Sequence, residues 1–523
     1  MRLPALICFG IILFAIATLL PGQPPPLPSN CAADGVVVNS MTGEPIPRAQ
    51  VMALASQTAG TADNLGHWSL TNIACGRLQV TAMRPGFLNG GARDMLTISS
   101  ESPAHDVRIQ LTPQSVVVGK VTDEQGDPVM NAQVSVLGSR VMEGRRTFVM
   151  MSAAQTNDLG EFRVSSLPAG KFIFCARGPA FMGTFTGANP NDSVTNGETC
   201  YPGPVEGGAA SAMELSAGHE TRIDFSVRQV PAVRIRGTVS GMPKNQGAAV
   251  SLQQRGPGRG PVNVRPANIT PDGKFEVRGV TPGSYMLATD YWEAGSRLTA
   301  RVPVEVGGSD VEGISIHLES GPSIGGSVRV ESTTGKTLPD KAWQMYLRSS
   351  DPTIGGGQLK WSKDRTTFTI ADTTPGTYRL EGTPPPPFYL KSAMLGGRDP
   401  TREEVPIGQS AGQLEVVVSD DSGTIEGVVQ DSDGQSPATR VTVMVIQEGR
   451  SPRNIPAGAD GRFQIANLAP GDYRIYAWDD ITQVEYADAE WMKHHGGKGQ
   501  SVTLSPGQTA SLKLQPGQAA PAN

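Results

Sequence analysis

Across Phe463, Gln464 and Ile465, and again across Tyr473, Arg474 and Ile475, apolar residues alternate with polar ones. That period of two predicts strands with one buried face. A turn introduces each run. Asp460-Gly461 suits a tight hairpin turn, Gly supplying the positive φ. Pro470-Gly471 suits the centre of a type II turn, Pro fixing φ and Gly taking the positive value. The same order returns upstream: Asp272-Gly273-Lys274-Phe275 precedes Pro282-Gly283-Ser284-Tyr285, and Asp158-Leu159-Gly160-Glu161-Phe162 precedes Pro168-Ala169-Gly170-Lys171-Phe172. Asp63 to Trp68 with Cys75-Gly76-Arg77-Leu78 is a degenerate copy. Pro375-Gly376-Thr377-Tyr378 is another, its first turn decayed to Lys363-Asp364-Arg365. A repeat fixes architecture ahead of any single motif.

Each copy sits in a longer unit opened by a Gly-x-Val strand: Gly35 to Val37, Gly119 to Val121, Gly237 to Val239, Gly326 to Val328 and Gly427 to Val429. The units run over 31–113, 114–230, 231–319, 320–420 (degenerate) and 421–516. Each has roughly the hundred residues and seven strands of an antiparallel β-sandwich. The expected fold is all-β, a tandem array of about five immunoglobulin- or transthyretin-like sandwiches after an N-terminal segment. The run Pro384 to Pro387 belongs to a loop or an edge. One short helix is expected over Asp488 to His495, and residues 517–523 read as a disordered tail.

Composition agrees: 62 Gly and 42 Pro in 523 residues suit many short strands and turns. A net charge of −5 without a basic stripe excludes a nucleic-acid binder. Residues 1–22 are different, Arg2 preceding an apolar run to Leu20. They read as an export signal, with an uncleaved membrane anchor as the alternative and the sole route to a membrane. Residues 23–30 form a Pro-rich spacer. The expected location is the periplasm, the outer surface or the medium. Beyond Cys8, four cysteines remain; neighbourhood favours disulfides Cys31–Cys75 and Cys175–Cys200, with four buried free thiols as the alternative.

Taken together, the Gly-x-Val opening, the Gly-x-Pro turn (Gly126-Asp127-Pro128), the Asp-x-x-Gly-x-Phe strand and the Pro-x-Gly-x-Tyr strand resemble the carboxypeptidase regulatory-like domains. That resemblance implies transthyretin-like sandwiches, related in pattern to collagen-adhesin B-type repeats and starch-binding-like folds. The second and fifth units carry it best. It implies fold more than function.

The family name invites a zinc carboxypeptidase, which needs a His with a carboxylate three residues on. After the six histidines that position holds Leu70, Arg108, Arg222, Ser320, Gly497 and Lys498. No catalytic, metal or cofactor residue is assigned, and no cofactor is expected. The Gly-x-Ser-x-Gly matches at Ser323 and Ser410 lack the strand-turn-helix setting of a nucleophile elbow. Asp431 to Gly434 is a turn rather than a calcium loop, because Thr442 stands where the bidentate Glu belongs. Lys120 lies where an isopeptide lysine would, but Phe174-Cys175-Ala176 occupies the strand expected to hold the promoting acid.

Loop aromatics are the remaining candidates for ligand contact: Tyr291 and Trp292 in the third unit, and Trp478, Tyr486 and Trp491 in the fifth. Such rings stack on sugars or anchor a partner, or else cap the open end of a core. The leading expectation is a non-enzymatic exported scaffold or binding array of the cell envelope. Its alternatives are a carbohydrate-binding protein using these aromatics, and an accessory subunit of a separate hydrolase or outer-membrane transporter. The partners to expect are a polysaccharide or another envelope protein.

Overall fold

The computed structural model describes residues 30–54, 56–91, 96–178, 194–201, 212–242, 248–255, 263–293, 296–339, 343–351, 354–408, 412–431, 434, 441–496 and 499–517. The leader, the spacer apart from Asn30, the tail beyond Gly517, Ser410 and the Asn-x-Ser match to a glycosylation sequon at Asn191-Asp192-Ser193 lie outside these residues. Two compact units divide the chain: residues 1–115 with 165–168 and 217–219, and the remainder.

Strands dominate, and their sheets recur from segment to segment. In the fifth segment Gly423–Val429 lies between Arg462–Leu468 and Thr509–Leu514. Facing it, Thr442–Ile446 and Gly471–Trp478 pair inside a four-stranded sheet. Phe463 and Ile465 are buried between the two sheets with Tyr473, Ile475 and Ala477, while Arg462 and Gln464 face solvent. The first segment repeats this plan around Cys31–Asn39, the third around Val233–Ser240 and the fourth around Ile324–Glu331, each with its own core. In the second segment Ser115–Thr122 takes the central place.

The ladders are antiparallel except where the opening strand meets the end of its segment, which in the second segment it does through two short strands, Glu220–Arg222 and Phe225–Ser226. The opening strand pairs in parallel with the closing strand: Cys31–Asn39 with Ala104–Pro113, Ser115–Thr122 with Glu220–Arg222, and Gly423–Val429 with Thr509–Leu514. The third and fourth segments do the same. This pairing explains the opening glycine. A Cβ on Gly35, Gly119, Gly237 or Gly427 would stand 1.9, 1.6, 2.1 or 2.0 Å from a carbonyl oxygen of the closing strand. Only a residue without a side chain permits so close an approach.

The turns keep the opening strand in place. Gly66, Gly160, Gly273 and Gly461 have φ near +75°, between 72° and 82°. Their carbonyls accept from Val37, Val121, Val239 and Val429 at 2.7 to 2.8 Å. In the fourth segment Arg365 takes the left-handed conformation, and Val328 donates to the next residue, Thr366, at 2.8 Å. The decayed turn therefore keeps its contact. Gly283 and Gly471 also have positive φ, at 152° and 138°. These angles need glycine but exceed the ~80° of a simple type II turn. The tyrosine two residues on explains the pattern: Tyr285 Oη donates to Thr281 O at 2.9 Å and Tyr473 Oη to Ala469 O at 2.5 Å. Tyr378 makes the same bond to Thr374 O. A buried phenol is satisfied by closing the turn in front of it.

Both cysteine pairs are disulfides. Cys31–Cys75 spans Cα atoms 5.4 Å apart in the first segment. Cys175 and Cys200 are direct partners on adjacent strands of the second.

Candidate functional site

The five candidate aromatics part company. Trp478 is 1% exposed, the last residue of Gly471–Trp478. Tyr291 is buried in the core of the third segment. Both were expected on loops; both are core, because their strands run farther than the alternation indicated. In Gly283–Glu293 that extension turns Tyr291 inward and its neighbour Trp292 outward, 56% exposed, with the Arg297 guanidinium 5.9 Å over its ring. Tyr291 and Trp292 thus lie on opposite faces of one strand.

Trp478, Tyr486 and Trp491 come together on the outer face of the fifth segment. From Ile475 to Trp478 four consecutive residues are buried, so alternation fails there. The second face is covered by the excursion after the strand, where Val484, Tyr486, Trp491 and Met492 pack on Tyr476 and Trp478. Tyr476 stacks on Trp478 at 6.0 Å, and Trp491 lies 5.7 Å from Trp478 and 4.4 Å from His495. The helix Ala489–His495 presenting Trp491 starts at Asp488, whose carboxylate accepts from Trp491 N at 2.9 Å. An N-cap of this kind satisfies one of the helix's free amides.

The same excursion docks a hairpin of the second segment. Gln133–Met142 and Arg145–Gln155 are joined by Glu143-Gly144, with φ of 51° and 73°, the two positive angles of a type I′ turn. Gly144 O accepts from Ala487 N at 3.0 Å, and a Cβ on Gly144 would meet the Tyr486 ring at 2.7 Å. Arg146 Nε donates to Glu485 Oε1 at 2.7 Å, with the carboxylate 12% exposed. Glu143 Oε1 accepts from Arg348 of the fourth segment at 2.6 Å. Nearby, Glu381 accepts from Tyr346 Oη at 2.9 Å and from Ser451 Oγ at 3.0 Å. The Glu381 carboxylate holds the Tyr346 phenol above its ordinary pKa, and burial does the same to Tyr486. Three segments therefore meet at one polar junction.

Beside the junction a cleft of about 280 Å³ separates the fourth and fifth segments. Arg379, Arg450 and Arg453 line it with Tyr346, Glu381 and Tyr473. Arg450 donates to Leu390 O and Lys391 O at 2.8 Å each, and Arg379 to Gly449 O at 3.2 Å. Arg453 donates to Ala466 O at 3.0 Å and Asn467 O at 3.2 Å. Among the described residues none of these arginines has a carboxylate within 4.0 Å. Burial pushes the Tyr473 phenol up to about 12.

The other reactive side chains have local tasks. His494 and His495 each contact a carbonyl one helical turn back, those of Glu490 and Trp491. His105 pairs with Asp34 at 2.6 Å in the open. Cys175, Glu198 and Cys200 are close enough to share an ion, but both sulfurs are in the disulfide. Ser323 leads into the strand Ile324–Glu331 and not into a helix. The Lys120 backbone amide donates to Asp224 at 2.9 Å.

Sequence reasoning did not single out Glu143-Gly144 or the three arginines. Glu143-Gly144 between two alternating runs was a readable hairpin signal. The arginines carry no local signal, because a cleft exists only once two segments meet.

Residues 424–516 match the family model of the carboxypeptidase regulatory-like domain. A search of curated proteins finds no match. Among solved structures, similarity extends to the TIE protein of Bacillus anthracis at 13% identity, covering 56% of this chain and 51% of that one, with a TM-score of 0.17. This chain thus spans about half the length of that protein. It extends also to a streptococcal ancillary pilin (10% identity, 55% and 99% covered, TM-score 0.17) and to the major pilin subunit of Bacillus cereus (11%, 78% and 100%, TM-score 0.15). At such scores these likenesses carry no argument about what the chain does.

Proposed function

We propose that the chain is a non-enzymatic, exported multi-sandwich scaffold of the cell envelope. The observation that carries this reading is the junction. Charged residues of the kind that elsewhere build active sites (Glu143, Arg146, Arg348, Glu381, Glu485) are engaged here with one another across three sandwiches. Contacts of this kind hold the second, fourth and fifth sandwiches in a fixed relation, as a scaffold requires. Export is supported by the two disulfides, which belong to oxidising compartments, and by the apolar leader. The aromatic excursion supports the same reading, because it covers a strand face and receives the hairpin rather than offering an open pair of rings.

The test is fractionation of the source cells with an antibody to residues 424–516, together with an assay of the purified chain for release of C-terminal amino acids from peptides. Recovery from the envelope or medium with both disulfides formed is expected. Recovery from the cytosol with free thiols refutes export, and chelator-sensitive release of amino acids refutes the non-enzymatic reading.

A further inference from the structure

We propose that the cleft between the fourth and fifth sandwiches binds a small dianion, the chemistry that a phosphoryl group and a short dicarboxylate share. The proposal is independent of the scaffold reading, since a scaffold needs no occupant there.

Charge and volume carry it. Three guanidinium groups and one carboxylate line the cleft, Arg379, Arg450 and Arg453 against Glu381. Glu381 is already engaged by the hydroxyls of Tyr346 and Ser451, and its nearest guanidinium is that of Arg348, 3.7 Å away. The cleft therefore keeps an excess of two positive charges. Its volume of about 280 Å³ suits a group smaller than a drug-sized ligand.

Hydrogen bonding points the same way. The three arginines are held by backbone carbonyls, which fix a guanidinium without neutralising it. Arg450 is the most constrained, with its two terminal nitrogens on Leu390 O and Lys391 O. Its Nε–H is buried and meets no acceptor among the described residues. A buried donor left unmade is costly, and a guanidinium is matched by a planar or tetrahedral oxyanion through paired N–H bonds. Gln447 adds a neutral polar group to the lining.

The experiment is calorimetric titration of the full chain, at low ionic strength, with inorganic phosphate and separately with succinate. Chloride and the neutral diamide succinamide serve as controls. Binding of at least one dianion and of neither control is expected, and the arm that binds identifies the source. Arg453→Gln should weaken binding about tenfold, the loss of one charged hydrogen-bonding group. Arg379→Gln, on the neighbouring sandwich, should do the same and serves if the first variant does not fold. Glu381→Gln keeps an oxygen acceptor for one of the two hydroxyls and turns an amide N–H towards the other while removing the opposing charge, so it should strengthen binding severalfold, which a merely structural carboxylate would not do. Failure of both dianions to bind overturns the proposal. So does binding that is equal for chloride, or unchanged in both arginine variants.

Discussion

Replacing Gly427 by alanine tests the reason for the opening glycine. The new Cβ would stand 2.0 Å from Leu512 O and 2.9 Å from Leu512 C. A carbon and a carbonyl oxygen approach comfortably at about 3.3 Å, so the closing strand must retreat by roughly 1.3 Å. That strand is in parallel register with the opening one from Thr424↔Thr509 to Val429↔Leu514, and its Leu514 is buried in the core. It cannot withdraw without loosening both. Overpacking of this kind costs about 1–3 kcal/mol, and one or two weakened ladder bonds add about 1 kcal/mol each. Lower entropy of the unfolded chain returns about 0.4–1 kcal/mol. A net loss of about 2–4 kcal/mol is expected, a large share of a single domain's stability. Several domains unfold separately, so the measurement must be local. Hydrogen exchange of amides in 424–516, with other segments as internal reference, reads it directly. Gly308→Ala is the control, because a Cβ there meets nothing within 4 Å. If Gly427→Ala exchanges like the native protein, close approach of the parallel strands is not why glycine stands there.

Other outcomes follow from the same contacts. Removing Cys31–Cys75 or Cys175–Cys200 by Cys→Ser opens loops of 44 and 25 residues and should destabilise the host sandwich by about 4 and 3.5 kcal/mol in the chain-entropy model, read as a fall in melting temperature that reductant reproduces in the native protein. Recovery of all four as free thiols by non-reducing peptide mapping contradicts the pairing. Gly144→Ala places a methyl against Tyr486 in a left-handed turn, so the hairpin should undock and trypsin should cut at Arg145 or Arg146 several times faster, while the second sandwich stays folded. Equal cleavage rates would mean that the hairpin does not dock. Burial raises the Tyr473 phenol from 10.0 to about 12, so the folded state holds its proton more tightly than the unfolded one. Its contribution is complete below pH 10 and is lost as pH rises towards 12. Tyrosinate absorbance in Tyr473→Phe should lack a late step that the native chain shows together with unfolding; a Tyr473 that ionises near pH 10 contradicts its burial.

The sequence by itself determined the strands, their buried faces, the repeat and the cysteine partners. All of these rest on short-range rules. Phe463 and Ile465 alternate, Asp460-Gly461 must turn, and Cys175 has Cys200 as its near neighbour in sequence. Even Asn467, left-handed at φ 56° one residue before buried Leu468, has its counterparts in Asn72 and Asp372, although no alternation rule selects them. The parallel pairing of first and last strands was not legible, because strand period reports which face is buried and not which neighbour lies alongside. Trp478 and Tyr291 show the same limit. An aromatic after an alternating run reads as a loop anchor, and only the tertiary structure decides whether a second layer covers it. The helix Ala489–His495 does so for Trp478. The junction and the arginine-lined cleft lie wholly on that side. Glu143 and Arg348 are 205 residues apart, and Arg146 and Glu485 339 apart. Charged side chains at such separations become partners only after three separate cores have formed and met, since the free energy that places them comes from the apolar faces and not from the charges.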